Sequence, residues 1–439
     1  MPQREYDKEA AYVQAVLEGV VEPLERASGF VQRESKLGGV RFVQMVVLAC
    51  LGRADVTLGE MVAVGEELGL CVSVPGLNQR INHAAVVLLQ ALLAQALRWE
   101  GWGQEGGCAL LARFGSVYLH DSSYLPLPTP MAAAWRGAGG SASTAGAKLW
   151  LSFEYRTGGV AQLALGPGIE ADQGSRLPQR LATPGSLHLF DLGFFSQYLL
   201  AALAAAGSYF VCRFQYQTAL YTEKGERIDL VRRLAEAGGV RLEFAARLGA
   251  TMQLPVRLLC QRVPQEVADT RRRKAKAVAK RRRRMLAPLT LQLMDWNLFC
   301  TNVPAAWWTL EQVLAVYRLR WQIELLFKLL KSQLGLDQSG AWRAERVLVQ
   351  LYARLLGLLL VTHLLAPWRF AAPRELSLPK AVRLLQQRLL PKLIAALAQS
   401  GLGLAHAIRS FVDRYLRLAL KDKRTKDPST YDCLLALEV

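Results

Sequence analysis

Apolar residues recur along this chain with two periods, and the change of period divides the sequence. Up to about residue 105 they recur at steps of three and four, which is the spacing of amphipathic helices. The predicted helices in this part are 10–24, 40–51, 58–68 and 77–99. From about residue 110 short apolar or alternating runs follow one another, which is typical of strands. The predicted strands are 116–120, 149–155, 160–165, 187–190 and 209–214.

Helical spacing returns inside and after this strand region. The further predicted helices are 194–206, 347–365, 380–390 and 394–415. The pattern therefore predicts an α/β protein with one mixed sheet flanked by helices. Its central domain is 106–350, interrupted at 215–305 by a strand-rich basic insertion with strand-like pieces such as 241–246 and 256–262. The helical regions are 1–105 and 351–439.

The segment from Thr309 to Gly335 is predicted to be one amphipathic helix. Thr309 and Gln312 have the spacing of a capping box, and Trp308 can pack on the first helical turns as a hydrophobic staple. Apolar residues then recur at steps of three and four until Gly335 ends the pattern.

Four polar side chains share one face of this predicted helix. Tyr317, Arg320, Glu324 and Lys331 follow one another at steps of three, four and seven residues. A carboxylate between two cations and a phenol can hold a metal ion and bind a phosphate, which phosphodiester chemistry on DNA requires. A surface helix with ordinary solvated charges has the same pattern, so the spacing alone leaves both interpretations open.

The composition favours a basic protein that meets a polyanion. Among 439 residues, Lys plus Arg number 54 and Asp plus Glu 36, for a net charge of +18. The seven cysteines are scattered without CxxC spacing, which favours a reducing compartment over a disulfide framework or a structural zinc site. The N-terminus has no apolar signal region, and the apolar stretch 355–367 is too short to span a bilayer. We expect a cytoplasmic protein without a membrane partner, and a buried or interface helix at 355–367.

Basic residues are concentrated at 271–284, where ten of fourteen side chains are cationic. This run is predicted to be either a disordered loop or a helix that phosphates order, and a merely solvated patch is the alternative. The arginines of the run that we expect to contact DNA are Arg271, Arg272, Arg273, Arg281, Arg282, Arg283 and Arg284. A weaker candidate is a helix-turn-helix at 58–82, in which Asn78, Gln79, Arg80 and Asn82 would face a DNA groove; many helical bundles contain such a turn.

Two aspartates follow apolar strands at places where an acid is costly unless it is paired or bound to a metal. Asp121 directly follows the run 114–120, and Asp191 directly follows the run 186–190. Each could instead cap the next element, and Asp172 and Asp295 compete for the second position. The sequence has no Gly-x-Ser-x-Gly elbow, no GxxxxGK loop and no histidine pair with metal-ligand spacing.

With these segments in place, the chain resembles the DDE-class transposases of bacterial insertion sequences. Tyr317, Arg320, Glu324 and Lys331 match the Tyr-x2-Arg-x3-Glu-x6-Lys (YREK) signature of a hairpin-forming cut-and-paste group. Asp121-Ser122-Ser123 and the run that begins Asp191-Leu-Gly-Phe resemble the two aspartate segments, and Thr301-Asn302 resembles the dipeptide before the signature helix. The likeness spans about 110–350. Ser123 and Leu192 depart from the usual Thr and Arg.

The resemblance implies an RNase H-like fold and a metal-dependent site. It implies that Asp121, Asp191 and Glu324 bind two Mg²⁺ ions, with Mn²⁺ as an expected substitute. It also implies that Tyr317, Arg320 and Lys331 hold DNA phosphates. Trp321 is placed with this DNA-binding set, although packing in the core is the preferred interpretation of its ring.

The same resemblance implies cleavage and strand transfer at transposon ends. The expected partners are double-stranded DNA, both the terminal inverted repeats and the target, and a second copy of the chain in a homodimeric synaptic complex. The expected location is the bacterial cytoplasm, at the nucleoid. A metal-dependent nuclease without strand transfer and an inactive DNA-binding transposase relic are the alternatives.

Overall fold

A computed structural model describes residues 3–33, 37–99, 106–139, 143–281, 283–338, 340–369, 375–422 and 429–437. The chain divides into two compact units. The helical unit comprises Met1–Gly107, Ser122–Glu170 and Gln322–Asp427. The sheet unit comprises Cys108–Asp121, Ala171–Trp321 and Pro428–Val439. The predicted helical regions at both ends of the chain thus lie largely in one unit, while the predicted three-domain division stays a prediction.

The strands are β1 (Val117–Leu127), β2 (Ala145–Glu154), β3 (Gly159–Pro167), β4 (Leu187–Phe190), β5 (Tyr209–Arg213), β6 (Leu220–Tyr221), β7 (Arg241–Leu248), β8 (Leu254–Arg262) and β9 (Trp296–Thr301). The helices of the first half are α1 (Gln3–Gln14), α2 (Val21–Ala27), α3 (Gly39–Gly52), α4 (Leu58–Glu67), α5 (Val74–Arg80), α6 (His83–Ala96), α7 (Leu177–Arg180), α8 (Gln197–Ala205) and α9 (Leu230–Glu236). Those of the second half are α10 (Gln265–Arg281), α11 (Pro288–Leu293), α12 (Leu310–Tyr317), α13 (Trp321–Ser332), α14 (Ala344–Leu365), α15 (Leu378–Leu384), α16 (Leu390–Ala398), α17 (Leu404–Tyr415) and α18 (Thr430–Leu435).

The sheet unit contains a mixed sheet. The first part of β1 is parallel to β4, and β4 is parallel to β5. From β5 the order continues through β9, β8, β7 and β6, and each of these pairs is antiparallel. Every residue of β4 is buried, which is the pattern of a parallel strand covered on both faces. The predicted mixed sheet is therefore confirmed, with β6 and β9 as strands that the sequence pattern did not predict.

The helical unit is organised around α14. This helix packs against α3 and α6 and is buried from Val349 to Leu365 without interruption. Among the described residues it is also the one helix long and apolar enough to cross a membrane by length and composition, and 94% of its apolar window is buried inside the structure. The expectation of a buried helix at 355–367 is thus confirmed.

The signature segment differs from the single predicted helix. The capping box at Thr309 is present, because its side chain accepts from the Gln312 N–H and the Gln312 side chain accepts from the Thr309 N–H. The segment then forms α12, a 3-10 turn at Arg318–Arg320, and α13. Tyr317 is the last residue of α12 and Arg320 the last residue of the 3-10 turn, whereas Glu324 and Lys331 lie in α13.

The predicted helix-turn-helix forms as α4 and α5, but only part of its predicted groove face is available. The Arg80 guanidinium lies 4.0 Å from the Phe30 ring centroid and donates to the Leu37 carbonyl at 3.1 Å. Asn82 caps α6 by accepting from the Ala85 N–H. Of the predicted contact residues, Gln79 is exposed and Arg80 is turned into the helical unit, because an aromatic ring and a carbonyl hold its cation there.

Candidate active site

Two carboxylates lie at matching positions of adjacent parallel strands in the sheet unit. His120 of β1 is paired in register with Phe190 of β4, so the next residues, Asp121 and Asp191, are neighbours across the strand pair. Adjacent strands run about 4.8 Å apart. The structure therefore brings the two aspartates predicted from the sequence side by side at the end of the parallel pairing of β1 with β4, although β1 itself continues to Leu127.

Tyr317 and Arg320 reach this edge from the signature segment. The Tyr317 hydroxyl lies 3.3 Å from Oδ1 of Asp191 and 3.4 Å from the Phe190 carbonyl oxygen, and its hydrogen can be donated to either. Arg320 Nη1 lies 3.7 Å from Oδ2 of Asp121, with only 13% of the arginine side chain exposed. Each aspartate thus has its own signature residue as a partner.

The Tyr317 phenol stays protonated in this environment. Burial raises its pKa well above the usual value, and the negative charge of Asp191 raises it further, against the opposing effect of Arg320 and Arg213. The Phe299 ring packs edge-on at 4.7 Å and fixes the phenol plane. A protonated phenol at this place is a hydrogen-bond donor to an oxygen anion.

Arg213 is a site residue that sequence analysis missed. Phe190 of β4 is paired with Cys212 of β5, so Arg213, the last residue of β5, lies next to Asp191, the residue after β4. Arg213 is also paired with Phe299 of β9, whose ring packs on Tyr317, and this pairing places it close to the site. The sequence has a single charge at the end of the apolar run 209–212, which by itself does not identify a site residue.

A series of buried, hydrogen-bonded side chains begins at His120, the residue before Asp121. The imidazole nitrogens of His120 (Nε2) and His188 (Nδ1) are 2.9 Å apart, and Nε2 of His188 lies 3.0 Å from the Ser186 hydroxyl. Ser186 continues the chain to Ser208 at 3.0 Å. Burial lowers the pKa of His188 to about 3 and holds that of His120 well below its usual range. Both rings are therefore neutral near pH 7, and they rigidify the two strands that carry the aspartates.

We expect this pair to make the protein sensitive to acid. In the unfolded chain His188 titrates near pH 6.5, so between about pH 3 and 6.5 the unfolded state binds more protons and stability is lost as the pH falls. The contribution of His188 to the free energy of unfolding should drop by about 2 kcal/mol from pH 7 to pH 5. Urea unfolding at the two pH values measures this drop. His188→Gln should flatten the dependence, exposed His406→Gln should not, and equal slopes in all three proteins would contradict the assignment.

The other signature residues lie in the helical unit. Glu324 is the fourth residue of α13 and is half-buried. Lys331 donates to the Tyr124 carbonyl at 3.1 Å and, with exposed Lys328, lines an open groove of about 480 Å³ that also includes Ser123. Trp321 is 54% exposed, so the expectation that its ring packs in the core is wrong; the buried apolar residues of α13 begin only at Ile323.

The donor set suits a hard cation only in part. Within the described ranges, no group of three or more His, Cys, Asp and Glu side chains could hold a metal ion. Asp121 and Asp191 offer carboxylate oxygens, and Mg²⁺ is commonly bound by one or two carboxylates together with substrate phosphate and water. The two aspartates therefore fit a magnesium site that substrate oxygens complete.

The competing acids have other roles. Asp295 pairs with Arg272, which ties it to α10. Asp172 lies against Gly193, where a Cβ would meet its Oδ2 at 2.8 Å. Asp172 thus packs on the turn that follows Asp191, and neither acid lies at the register position that Asp121 and Asp191 share.

The arginines of the basic run divide into two groups. Arg271 and Arg272 are half-buried and bind protein groups, whereas Arg273, Arg281, Arg283 and Arg284 are exposed. Arg282 lies outside the described residues. Their predicted contact with DNA stays a prediction, and the run is helical from Arg271 to Arg281, where α10 ends.

Two neighbouring carboxylates, partnered by a phenol and a guanidinium, offer the oxygen ligands and the phosphate-binding groups that phosphodiester chemistry requires. The sequence pattern of the family described as "Transposase DDE domain" matches residues 112–360. The chain therefore belongs to the transposases with a DDE domain, and its mixed sheet flanked by helices is the RNase H-like fold expected from the resemblance.

Transposases of insertion sequences are similar to this chain over most of its length. The transposase for insertion sequence element IS231F of Bacillus thuringiensis subsp. israelensis is 27% identical over 395 residues, which cover 84% of this chain and 83% of the relative. The transposase for IS1151 of Clostridium perfringens is 26% identical and covers 83% of this chain and 82% of itself. A putative transposase InsL for IS186A of Escherichia coli K12 is 28% identical over 246 residues, 54% of this chain and 65% of the relative. The predicted likeness to insertion-sequence DDE transposases is confirmed at this level.

Proposed function

We propose that this protein is a cut-and-paste transposase of the YREK, hairpin-forming group, which cleaves DNA at the ends of an insertion sequence and joins them to a target. The observation that carries the proposal is the register-matched pair Asp121 and Asp191 with Tyr317 and Arg320 bound to it. A surface helix with solvated charges would not place its phenol and guanidinium against two neighbouring carboxylates of the sheet. This contact therefore favours a catalytic role for these residues over that of ordinary surface charges.

Asp121, Asp191 and Glu324 are the proposed metal-binding residues. Two Mg²⁺ ions, or Mn²⁺ in their place, would supply Lewis-acid stabilisation to the attacking and leaving oxygens of a phosphodiester. Membership of the DDE family supports divalent metal use in general. The paired strand-end carboxylates of the sheet unit support the first two ligands, and the YREK spacing supports Glu324 as the third.

The cationic residues and the phenol would position the DNA. The guanidinium groups of Arg320 and Arg213 can form bidentate hydrogen bonds to phosphate oxygens. Tyr317 is kept protonated by burial and by Asp191, so it can donate to a phosphate oxygen. Lys331 and Trp321 would contact the same end DNA, Lys331 through its ammonium group and Trp321 through its exposed ring. The 3′-hydroxyl released by the first cut is expected to attack the opposite strand and form a hairpin before target joining.

Arg320→Ala should weaken binding of end DNA by about tenfold to a hundredfold, because a charge-assisted hydrogen bond contributes about 1.5–3 kcal/mol. Metal affinity should not fall, since the variant removes a cation 3.7 Å from Asp121. Filter binding of an end duplex and a Mn²⁺ titration separate the two effects. The matched control is Arg318→Ala, which alters an exposed arginine two residues away that donates to Sγ of Cys433 at 3.8 Å. Equal losses in both variants would mean that net charge alone matters.

The proposed partners are the duplex inverted repeats, the target duplex and a second copy of this chain in the synaptic complex. A protein that acts on chromosomal DNA works in the cytoplasm at the nucleoid, and that location is part of the proposal. The predicted alternatives, a nuclease that cuts without joining and an inactive DNA-binding relic, differ from it in the products they make.

One incubation distinguishes these three functions. The protein, Mg²⁺ and a duplex that carries the inverted repeat flanking its gene are mixed with a supercoiled target plasmid. A transposase yields nicked end, hairpin and joined plasmid. A nuclease yields cut ends without joined plasmid, and a relic yields bound but intact DNA.

A further inference from the structure

Helix α10 carries a long cationic face that the site described above does not use. It spans Gln265–Arg281, and Ala268 is its one described buried residue. The exposed cations of the helix and of the residues after it are Arg273, Lys274, Lys276, Lys280, Arg281, Arg283 and Arg284. Among the described residues none of these seven forms a salt bridge in the structure. The cations of this face therefore have no described acidic side chain to neutralise them, and like charges at this density repel one another.

Two arginines of the same helix serve a different purpose, because they fasten it to the sheet unit. Arg271 donates to Oδ1 of Asn297 at 2.8 Å and reaches the Trp296 carbonyl at 3.5 Å. Arg272 binds Asp295 and donates to the Leu291 carbonyl at 3.3 Å. The helix is therefore held against the start of β9 independently of any nucleic acid.

The fastening places α10 next to the strand-end site. Asn297, which binds Arg271, lies two residues before Phe299 in β9; Phe299 is paired with Arg213 of β5 and its ring packs on Tyr317. The cationic surface thus continues from Arg213 through Arg271 onto the outward face of α10. The exposed cations of the helix lie between Arg273 and Arg281, a stretch of about 13 Å, which spans about four phosphates of one DNA strand at 3.4 Å each.

We infer that α10 binds the phosphate backbone of the target duplex without sequence preference and leads it towards the strand-end site. The exposed large apolar residues of α10 are Val267 and Val278, which lie about three helical turns apart, and the helix has no aromatic ring, so an acidic protein would find no apolar centre to bury. Lysine and arginine contacts to phosphates carry no sequence information. That suits a target of variable sequence better than a fixed terminal repeat. The inference rests on the proposed function, because the bound duplex is a target only if the protein is a transposase.

The test uses full-length protein and fluorescence anisotropy on a random-sequence duplex over a range of KCl concentrations. The variant replaces Arg273, Lys276 and Lys280 by Gln, and its matched control replaces Lys392, Arg414 and Arg417, three exposed cations of the helical unit. If each α10 cation neutralises one phosphate, the slope of log K against log[KCl] should become shallower by about 2.7 and the affinity should fall by about tenfold or more. The control should change neither by as much.

The outcomes are distinguishable. An unchanged slope, or equal changes in the variant and the control, would overturn the inference. A loss confined to duplexes that carry the inverted repeat would also overturn it, because the contact would then belong to end recognition. If the unaltered protein binds random duplex through α10 yet never cuts or joins DNA, the transposase proposal fails while DNA binding by α10 stands.

Discussion

Glu324→Gln should bind end DNA as the unaltered protein does and should neither nick nor join it. The substitution keeps the size of the side chain and removes the negative oxygen that a divalent ion requires. Loss of about 4 kcal/mol of transition-state stabilisation, a reasonable value for a metal-ligand contact, lowers the rate by about 10³-fold. Gel assays of nicking and joining, with anisotropy for binding, measure both parts of this prediction.

The controls separate chemistry from folding. Asp191→Asn should give the same loss, because Asp191 occupies the strand-end position next to Asp121. Glu311→Gln should keep the activity, since Glu311 is an exposed residue of α12 that pairs with Arg241. Cleavage by Glu324→Gln at the rate of the unaltered protein would end the assignment of this residue.

Arg354→Leu should be the most destabilising single change outside the site. Arg354 is 2% exposed in α14 and donates to the Gln338 carbonyl at 2.8 Å and to the Ala54 carbonyl at 2.7 Å. Burial lowers its pKa, but these acceptors keep the cation in place. Leucine would leave the carbonyl oxygens of Gln338 and Ala54, which are in part-buried hydrogen bonds, without their donor, at about 1–3 kcal/mol each. We expect the free energy of unfolding to fall by about 3–5 kcal/mol.

Urea unfolding followed by circular dichroism measures this loss. Exposed Arg383 of α15 provides the control, because Arg383→Leu should stay within about 0.5 kcal/mol of the unaltered protein. A loss below about 1 kcal/mol for Arg354→Leu would show that water or a neighbouring group can replace the guanidinium. The same contact holds the turn at Gly335, where φ is +62° and a Cβ would collide with the Ala54 carbonyl.

Short-range patterns in the sequence predicted those elements whose apolar spacing is regular. β4 has the predicted bounds, because Leu187–Phe190 is a buried run between turns. The helix predicted at 394–415 is two helices, because Gly401 and Gly403 adopt positive φ between them. β9 was not predicted, since Trp296–Thr301 becomes a strand by pairing with β5 and β8, which are distant in sequence.

The site shows the same division. The aspartates, Tyr317 and Arg320 could be proposed from strand ends and helical spacing alone. Arg213 could not, because its place beside Asp191 depends on the register of β4 and β5. The different roles of Arg271 and Arg273 were equally invisible, since two neighbouring arginines in a basic run look alike until Asn297 is seen to bind one of them.

The amino-acid sequence by itself determined which residues carry charge, which segments have a helical or strand period, and the likeness to DDE transposases. These are properties of neighbours within a few residues and of local motifs. The tertiary structure decided which strand ends adjoin, which cations are bound by protein and which face solvent. It did so because parallel pairing and the burial of arginine join groups tens to hundreds of residues apart, whose encounter no local period encodes.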